Sequence, residues 1–377
     1  MVRRYALMAG GGTAGHLQPA LAIAESLVSR GHDREAIEFV GSSRGQDRIA
    51  LDGRGFPFTL LPGRGISRSM RPRVIAQNLG ALAGLGIALI RALGLVASRR
   101  PRVVVSVGGY ASLPASLGAL ALGVPLVLVN VDAAPGVANR LLGRFARASA
   151  VGWPGTRLPR AVVTGTPVRT DIAAVGRSAD DRRAARRVLG LPTGSPTVVV
   201  FGGSLGARSI NAAVAGLAEQ WKDRDDRSIY HIVGRRDWEA TQAASASPGP
   251  HDQVVRVPYE ERMATVYAAA DVVVCRAGAM TVAELAAAGV PSVLVPLPGA
   301  PGDHQTANAR VLERVNGAVL LADGDCDGPR LAIVLDKLLA EDGALDAMGR
   351  AARSLGRPDA ADAGAQVVEK HARSGPQ

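Results

Sequence analysis

Apolar and polar positions alternate along this chain in two registers. Short runs dense in Val, Ile and Leu are separated by longer Ala- and Leu-rich stretches, the pattern of strand-helix units around a parallel sheet. In the first half the runs predict strands at Tyr5–Met8, Ile37–Val40, Phe58–Leu61, Arg102–Ser106, Leu126–Val129 and Ala161–Val163, with helices between them. A second series begins at Thr197–Phe201 and continues through Ser228–Val233, Gln253–Arg256, Asp271–Cys275, Ser292–Val295 and Ala318–Leu320. Between the two, Arg177 to Pro196 has the Arg, Asp, Gly and Pro content of a linker or surface helix, which sets the domain boundary near residues 168–195. Met348 to Gln377 is charged and Ala-rich without strand signal, and reads as one or two closing helices. The expectation is an α/β chain of two Rossmann-like domains, residues 1–168 and 169–349, with a C-terminal helix at 350–377 packing back on the first.

Charge divides the chain unevenly. The 377 residues hold 44 Lys and Arg against 33 Asp and Glu, a formal +11. Residues 1–168 carry 20 basic and 7 acidic side chains, while residues 169–377 carry 24 basic and 26 acidic. The whole excess lies on the first half, as expected where one domain meets a polyanion or an anionic membrane. Two cysteines, Cys275 and Cys326, are too few for a disulfide framework and suit a reducing cytosol. Met1 to Gly10 is too short, and too soon followed by glycines, to read as a signal peptide. The uncharged apolar stretch Leu79 to Ile90 ends at Arg91, well short of the ~20 residues that cross a bilayer. An aromatic share of 3% argues against a nucleic-acid stacking platform despite the basic balance.

Each series opens with a strand running into glycines and then a helix: Ala9-Gly10-Gly11-Gly12-Thr13-Ala14-Gly15-His16, and Phe201-Gly202-Gly203-Ser204-Leu205-Gly206-Ala207-Arg208. Gly10, Gly12 and Gly15 satisfy the dinucleotide spacing, whose physics is close approach of a diphosphate to a helix N-terminus. The next strand, however, ends Phe39-Val40-Gly41-Ser42-Ser43, without the carboxylate that would hold a dinucleotide ribose, so an NAD enzyme is not indicated. His16, at a helix start among glycines, is either a surface or capping residue or a base able to take a proton near neutral pH. The second loop offers amides and the Ser204 hydroxyl to an anion, or is a structural turn. The most specific stretch is Asp271-Val-Val-Val-Cys275-Arg276-Ala277-Gly278-Ala279-Met280-Thr281-Val282-Ala283-Glu284. There a buried strand ends in Arg-Ala-Gly, and an early-helix Glu284 is placed either to accept ribose hydroxyls or to satisfy the helix dipole. In Pro301–Asn308, Gln305 and Asn308 are placed to bond sugar hydroxyls or to cap the helix.

Together these residues resemble the MurG family of UDP-N-acetylglucosamine transferases, glycosyltransferase family 28, within the two-domain GT-B class. The resemblance covers nearly the whole chain in order: Gly11–His16, Gly108-Gly109-Tyr110-Ala111-Ser112, Gly165-Thr166-Pro167-Val168-Arg169, Gly202–Arg208, Asp271–Glu284 and Asp303–Asn308. It implies two domains facing across a cleft and an inverting, metal-independent transfer without cofactor. N-acetylglucosamine would pass from UDP-N-acetylglucosamine to the C4 hydroxyl of the undecaprenyl-diphosphate muramyl pentapeptide, lipid I, in peptidoglycan synthesis at the cytoplasmic face of the membrane. In the second domain it implies Glu284 on the ribose, Ser204 with the amides of Ala279, Met280, Thr281 and Val282 on the diphosphate, and Tyr259 near the uracil. It further implies Arg169 beside the nucleotide and Gln305 on the transferred sugar. From the first domain it implies Thr13, Ala14, Gly15 and His16, with His16 the base for the acceptor hydroxyl.

One segment departs from the family. Where the family carries His-Glu-Gln-Asn this chain reads Val129-Asn130-Val131-Asp132, so a sugar-contacting Asn has become Asp132. Thr166 likewise replaces an Asn, and Leu113 a Gly. A related transferase with another lipid-linked or secondary-metabolite acceptor, and a non-catalytic UDP-sugar-binding protein, therefore stay open. Arg64, Arg68, Arg71 and Arg73 precede the apolar stretch Ile75–Leu95, either a core helix with a solvated basic loop or a peripheral dock for an anionic bilayer.

Overall fold

The computed structural model describes residues 4–11, 14–43, 48, 51–62, 72–109, 112–203, 205–244 and 254–374. The chain divides into two compact units, Met1–Val168 with Asp359–Gln377, and Arg169–Pro358.

In the first unit, strands β1 (Ala6–Gly10), β2 (Ile37–Ser42), β3 (Phe58–Leu61), β4 (Val103–Gly108), β5 (Leu126–Asn130), β6 (Ala148–Val151) and β7 (Ala161–Val163) form one parallel sheet in the order β3-β2-β1-β4-β5-β6-β7. Helices α1 (Ala14–Ser29), α2 (Pro72–Arg99), α3 (Ser112–Ala121) and α4 (Val137–Leu142) connect them. Strand β6 is an addition to the sequence reading. Its Ala-Ser-Ala-Val run holds a single β-branched residue, and its extended form is fixed by pairing with β5 on one side and β7 on the other. The central strands read as near-continuous apolar runs because both faces are covered. Leu7, Val104, Leu126 and Leu128 are at most 1% exposed and pack with Ala88, Ala92 and Val96 of α2.

The second unit repeats the scheme with β8 (Thr197–Phe201), β9 (Ser228–Ile232), β10 (Val254–Val257), β11 (Val272–Cys275), β12 (Ser292–Leu294) and β13 (Ala318–Leu320), ordered β10-β9-β8-β11-β12-β13 and again parallel. Its helices are α5 (Thr170–Ala173), α6 (Ala179–Leu189), α7 (Arg208–Gln220), α8 (Trp238–Ala244), α9 (Met263–Ala269), α10 (Ala279–Ala288), α11 (His304–Glu313), α12 (Gly328–Ala340) and α13 (Ala344–Arg353). The polar segment after Arg177 is helix α6. Ser178 and Asp181 close a capping box at its start and Gly190 ends it in the left-handed region. A last helix, α14 (Ala360–His371), belongs to the first unit. It packs on α1 with Gly364 against Ile23, and Arg30 pairs with Asp362 at 2.9 Å and Glu369 at 2.8 Å.

In both sheets the strand order reverses beside the first strand, between β1 and β4 and between β8 and β11. Loops leaving adjacent strands there diverge to opposite sides, opening a crevice at their carboxyl ends where ligands of such sheets bind.

Candidate active site

In the second unit the reversal is flanked by the glycine loop after β8 and by Arg276-Ala277-Gly278 after β11. Gly206 sits at φ 87°, and a Cβ there would collide with the Val233 carbonyl, so this turn admits only glycine. Ser204, the loop's one hydroxyl, lies outside the described residues. After β11, Gly278 is the N-cap of α10 and, among the described residues, no side chain caps the helix. The backbone N–H groups of Ala279, Met280 and Thr281 stand at the positive end of the helix dipole, a ready anion site. Val282 contributes differently: its side chain is fully buried and its amide donates to the Gly278 carbonyl at 3.0 Å.

Two residues of this stretch serve the scaffold. The Arg276 guanidinium donates to the Val295 carbonyl at 3.2 Å, the Pro296 carbonyl at 3.1 Å, Asp323 at 2.6 Å and the Ser209 hydroxyl at 2.9 Å, tying the loops after β11 and β12 to α7. Asp271 is bound by buried Arg186 and accepts the Thr197 amide at 2.6 Å.

One turn into α10, Glu284 is half-buried and accepts the Tyr267 hydroxyl at 2.8 Å. Burial raises its carboxyl from 4.5 to about 7, against the Tyr267 hydrogen bond and the Arg169 charge, which favour ionisation. Arg169, the N-cap of α5, donates to Asp171 at 3.0 Å. The unit thus brings Glu284, Arg169 and an uncapped helix start to one end of its sheet. Tyr267 was not legible as a site residue. Its one signal is a phenol in a largely apolar helix, since a buried tyrosine needs a hydrogen-bond partner.

The remaining second-unit candidates sit on neighbouring loops. Tyr259 is 40% exposed after β10, with the Arg235 guanidinium 4.2 Å over its ring. Gln305, in the first turn of α11, accepts the Leu297 amide at 2.9 Å. Asn308 is fully buried and donates to the Ala277 carbonyl at 3.2 Å, bracing the loop before α10.

In the first unit, Gly15 and His16 lie in the first turn of α1, following β1. Ala14 opens that helix, and Thr13 lies outside the described residues. The His16 ring rests on the turn after β4: a Cβ on Gly108 or Gly109 would meet it at 3.3 or 3.1 Å. His16 therefore stands at the β1–β4 reversal. Asp132, in the turn after β5, is half-buried and its carbonyl accepts the Asn130 side-chain amide at 2.6 Å. The rest of that segment is turned inward: Asn139 donates to Asn130 at 3.0 Å, and Trp153 donates to the Val131 carbonyl at 3.1 Å.

Known proteins share this layout. The glycosyltransferase family 28 N-terminal domain matches residues 6–151 and the family's C-terminal domain matches residues 197–363. The UDP-N-acetylglucosamine--N-acetylmuramyl-(pentapeptide) pyrophosphoryl-undecaprenol N-acetylglucosamine transferase of Desulforudis audaxviator is 37% identical, over 98% of this chain and 99% of its own. The transferase of the same name from Acidothermus cellulolyticus is 39% identical over 98% of each chain. Among solved structures, Acinetobacter baumannii MurG superimposes with a TM-score of 0.78 at 28% identity, covering 98% of this chain and 99% of that one. Two parallel α/β units of GT-B type, both family domains in order and identity sustained over the full length lead to one assignment: the chain belongs to glycosyltransferase family 28.

Proposed function

We propose that this protein transfers N-acetylglucosamine from UDP-N-acetylglucosamine to the muramyl sugar of an undecaprenyl-diphosphate-linked pentapeptide precursor, converting lipid I to lipid II. The observation that carries the reading is identity of 37–39% to transferases of that name over 98% of the chain. The second unit holds the donor. Glu284 accepts the ribose hydroxyls, Arg169 lies beside the nucleotide, and the Ala279–Thr281 amides take the diphosphate, where they stabilise charge as it develops on the leaving group. Tyr259 packs by the uracil and Gln305 holds the transferred sugar.

The acceptor belongs to the first unit. Its C4 hydroxyl oxygen attacks the anomeric carbon as the bond from that carbon to the diphosphate oxygen breaks. The electron pair leaves with UDP, the hydroxyl proton passes to His16, and the new linkage is β-1,4 with inverted configuration. His suits this role because its ordinary pKa lies near the working pH. UDP release on mixing UDP-N-acetylglucosamine with a lipid I analogue tests the reading, and no release from folded protein overturns it.

A second reading, transfer to a different polyprenyl-linked acceptor, is favoured by one observation: in the Val129–Asp132 segment the Asn130 side chain is engaged by the Asp132 carbonyl and Asn139, and the Val131 carbonyl by Trp153. Complementation of a cell depleted of its own lipid II-forming transferase separates the two, since failure despite good expression favours the other acceptor.

A lipid-linked acceptor also calls for peripheral docking on an anionic, cytoplasm-facing bilayer, through residues 64–95. Arg64, Arg68 and Arg71 lie outside the described residues. On α2, Ile87, Ile90 and Leu93 expose 49%, 73% and 39% of their surface along one helical face, apolar area that a membrane interface would cover. Among the described residues no helix is long and apolar enough to cross a membrane. Flotation with anionic and neutral vesicles tests the docking, and equal binding to both rejects its electrostatic part.

A further inference from the structure

We propose that Tyr267 is the positioning residue of the donor site: its hydroxyl holds one oxygen of Glu284 so that the carboxylate presents its remaining lone pairs to the ribose diol. The inference rests on the reading of Glu284 as the ribose ligand.

Tyr267 is fully buried on α9, and its hydroxyl donates to Glu284 Oε2 at 2.8 Å, a contact linking α9 to α10. Tyr267 is held from other sides as well. Its ring meets that of Phe201, the last residue of β8, with centroids 6.3 Å apart, and its backbone carbonyl accepts Arg177 at 2.7 Å. Since Phe201 leads directly into the Gly202-Gly203 turn, the Tyr267 ring packs between the strand that feeds one donor loop and the helix that carries the donor carboxylate.

An ionised carboxylate offers about four acceptor sites. Tyr267 occupies one, and two ribose hydroxyls need two, so holding Oε2 does not compete with the ligand. It removes the rotational freedom that Glu284 would otherwise lose on binding. Burial and the Glu284 charge push the Tyr267 phenol well above its usual value of 10, so it stays a donor throughout the working range. A permanent donor favours the ionised form of its partner, the form that can accept two hydroxyls.

The titratable groups facing Glu284 are Tyr267 from α9, Arg169 and Asp171 from α5 and its cap, and Cys275 at the end of β11. Of the other helices packed on α10, α11 sends Asn308 to the Ala277 carbonyl, and α13 sends Arg353 to the Ala288 carbonyl at the far end.

The test is steady-state kinetics of the full chain with UDP-N-acetylglucosamine as the varied substrate, across pH 5.5–9. Tyr267→Phe is expected to raise the donor KM about tenfold, the usual scale for losing a hydrogen bond to a charged group, with kcat at saturating donor nearly unchanged. The acid limb of UDP affinity, read by calorimetry so that the proton transfer to His16 does not enter, moves to higher pH, because the bond that favoured ionisation is gone. A phenol that merely fills the core would lower the Tm and leave that limb in place, which overturns the inference. Glu284→Gln separates the two levels. If it leaves the donor KM unchanged, the ribose reading itself is wrong. If it raises KM while Tyr267→Phe moves neither KM nor the limb, only the positioning role falls. Should the Phe variant not fold, 3-fluorotyrosine incorporated at position 267 keeps the shape and makes a stronger donor. Its acid limb is expected at lower pH, and an unmoved limb refutes the proposal.

Discussion

The His16 imidazole lies on the turn formed by Gly109: a Cβ built on that glycine would come within 3.1 Å of His16 Cδ2 and collide with the Gly11 carbonyl oxygen. Gly109 also sits at φ 78°, where a side chain costs about 1–2 kcal/mol. Gly109→Ala is therefore expected to push the β1 and β4 loops apart and displace the histidine. The predicted outcome is a kcat reduced tenfold or more with the donor KM within twofold, because the proposed donor groups lie in the other unit. A KM rise with kcat intact would place His16 outside the chemistry.

Removing the imidazole itself gives a sharper result. Loss of a general base lowers turnover by about 10²–10⁴-fold, so His16→Ala should fall in that range at saturating donor while UDP affinity by calorimetry stays unchanged. Wild-type turnover in the variant would remove His16 from the proposed mechanism.

How far the sequence foretold these features depends on whether the signal was local. Thr197–Phe201 and Val272–Cys275 were legible as strands because buried parallel strands are continuous β-branched runs, and the loops after them because glycine is needed where a strand turns tightly into a helix. The positions of His16 and Glu284 were legible for the same reason, each lying just beyond such a turn. Ala148–Val151 was missed because its alanines and serine carry no strand preference and only its neighbours in the sheet define it. The partners were also illegible. The Tyr267–Glu284 bond joins two helices, and the Arg186–Asp271 pair spans 85 positions, so neither leaves a spacing to read. Asp271 and Arg276, which stood within the most specific stretch of the sequence, hold its scaffold.

The raised carboxyl of Glu284 predicts a pH-dependent stability for the ligand-free protein. The native state holds its proton up to about pH 7, whereas in the unfolded chain the group ionises near its ordinary value of 4.5. Between those limits the native state binds more protons, so this contribution is complete below pH 4.5 and lost as pH rises through 7. Its ceiling is ~3 kcal/mol, and partial contact with water reduces it to about 1–2 kcal/mol. Glu284→Gln, which never ionises, should gain that amount over wild type at pH 8 and nothing at pH 4, read from urea unfolding without donor. An equal change at both pH values would show that the carboxyl is not held neutral by burial.

A buried ion pair, Arg186–Asp271, anchors α6 to the second sheet. Arg186 has a side chain only 6% exposed and is tied to Asp271, while its guanidinium also donates to the Ala269 carbonyl at 3.1 Å and the Ser195 carbonyl at 3.0 Å. Removing one member of a buried pair costs about 3–5 kcal/mol, mostly through the charge left behind. Here Asp271 keeps the Thr197 amide at 2.6 Å and Arg182 at 3.7 Å, which places Arg186→Met at the lower end, about 3 kcal/mol by urea denaturation. The donor KM at 25 °C should be untouched, since none of these atoms belongs to the proposed nucleotide site. Arg186→Met combined with Asp271→Leu should recover part of the loss by removing the stranded carboxylate. A single-variant cost below about 1 kcal/mol, or no recovery in the double variant, would mean that the pair is solvated and that α6 is held by its apolar contacts alone.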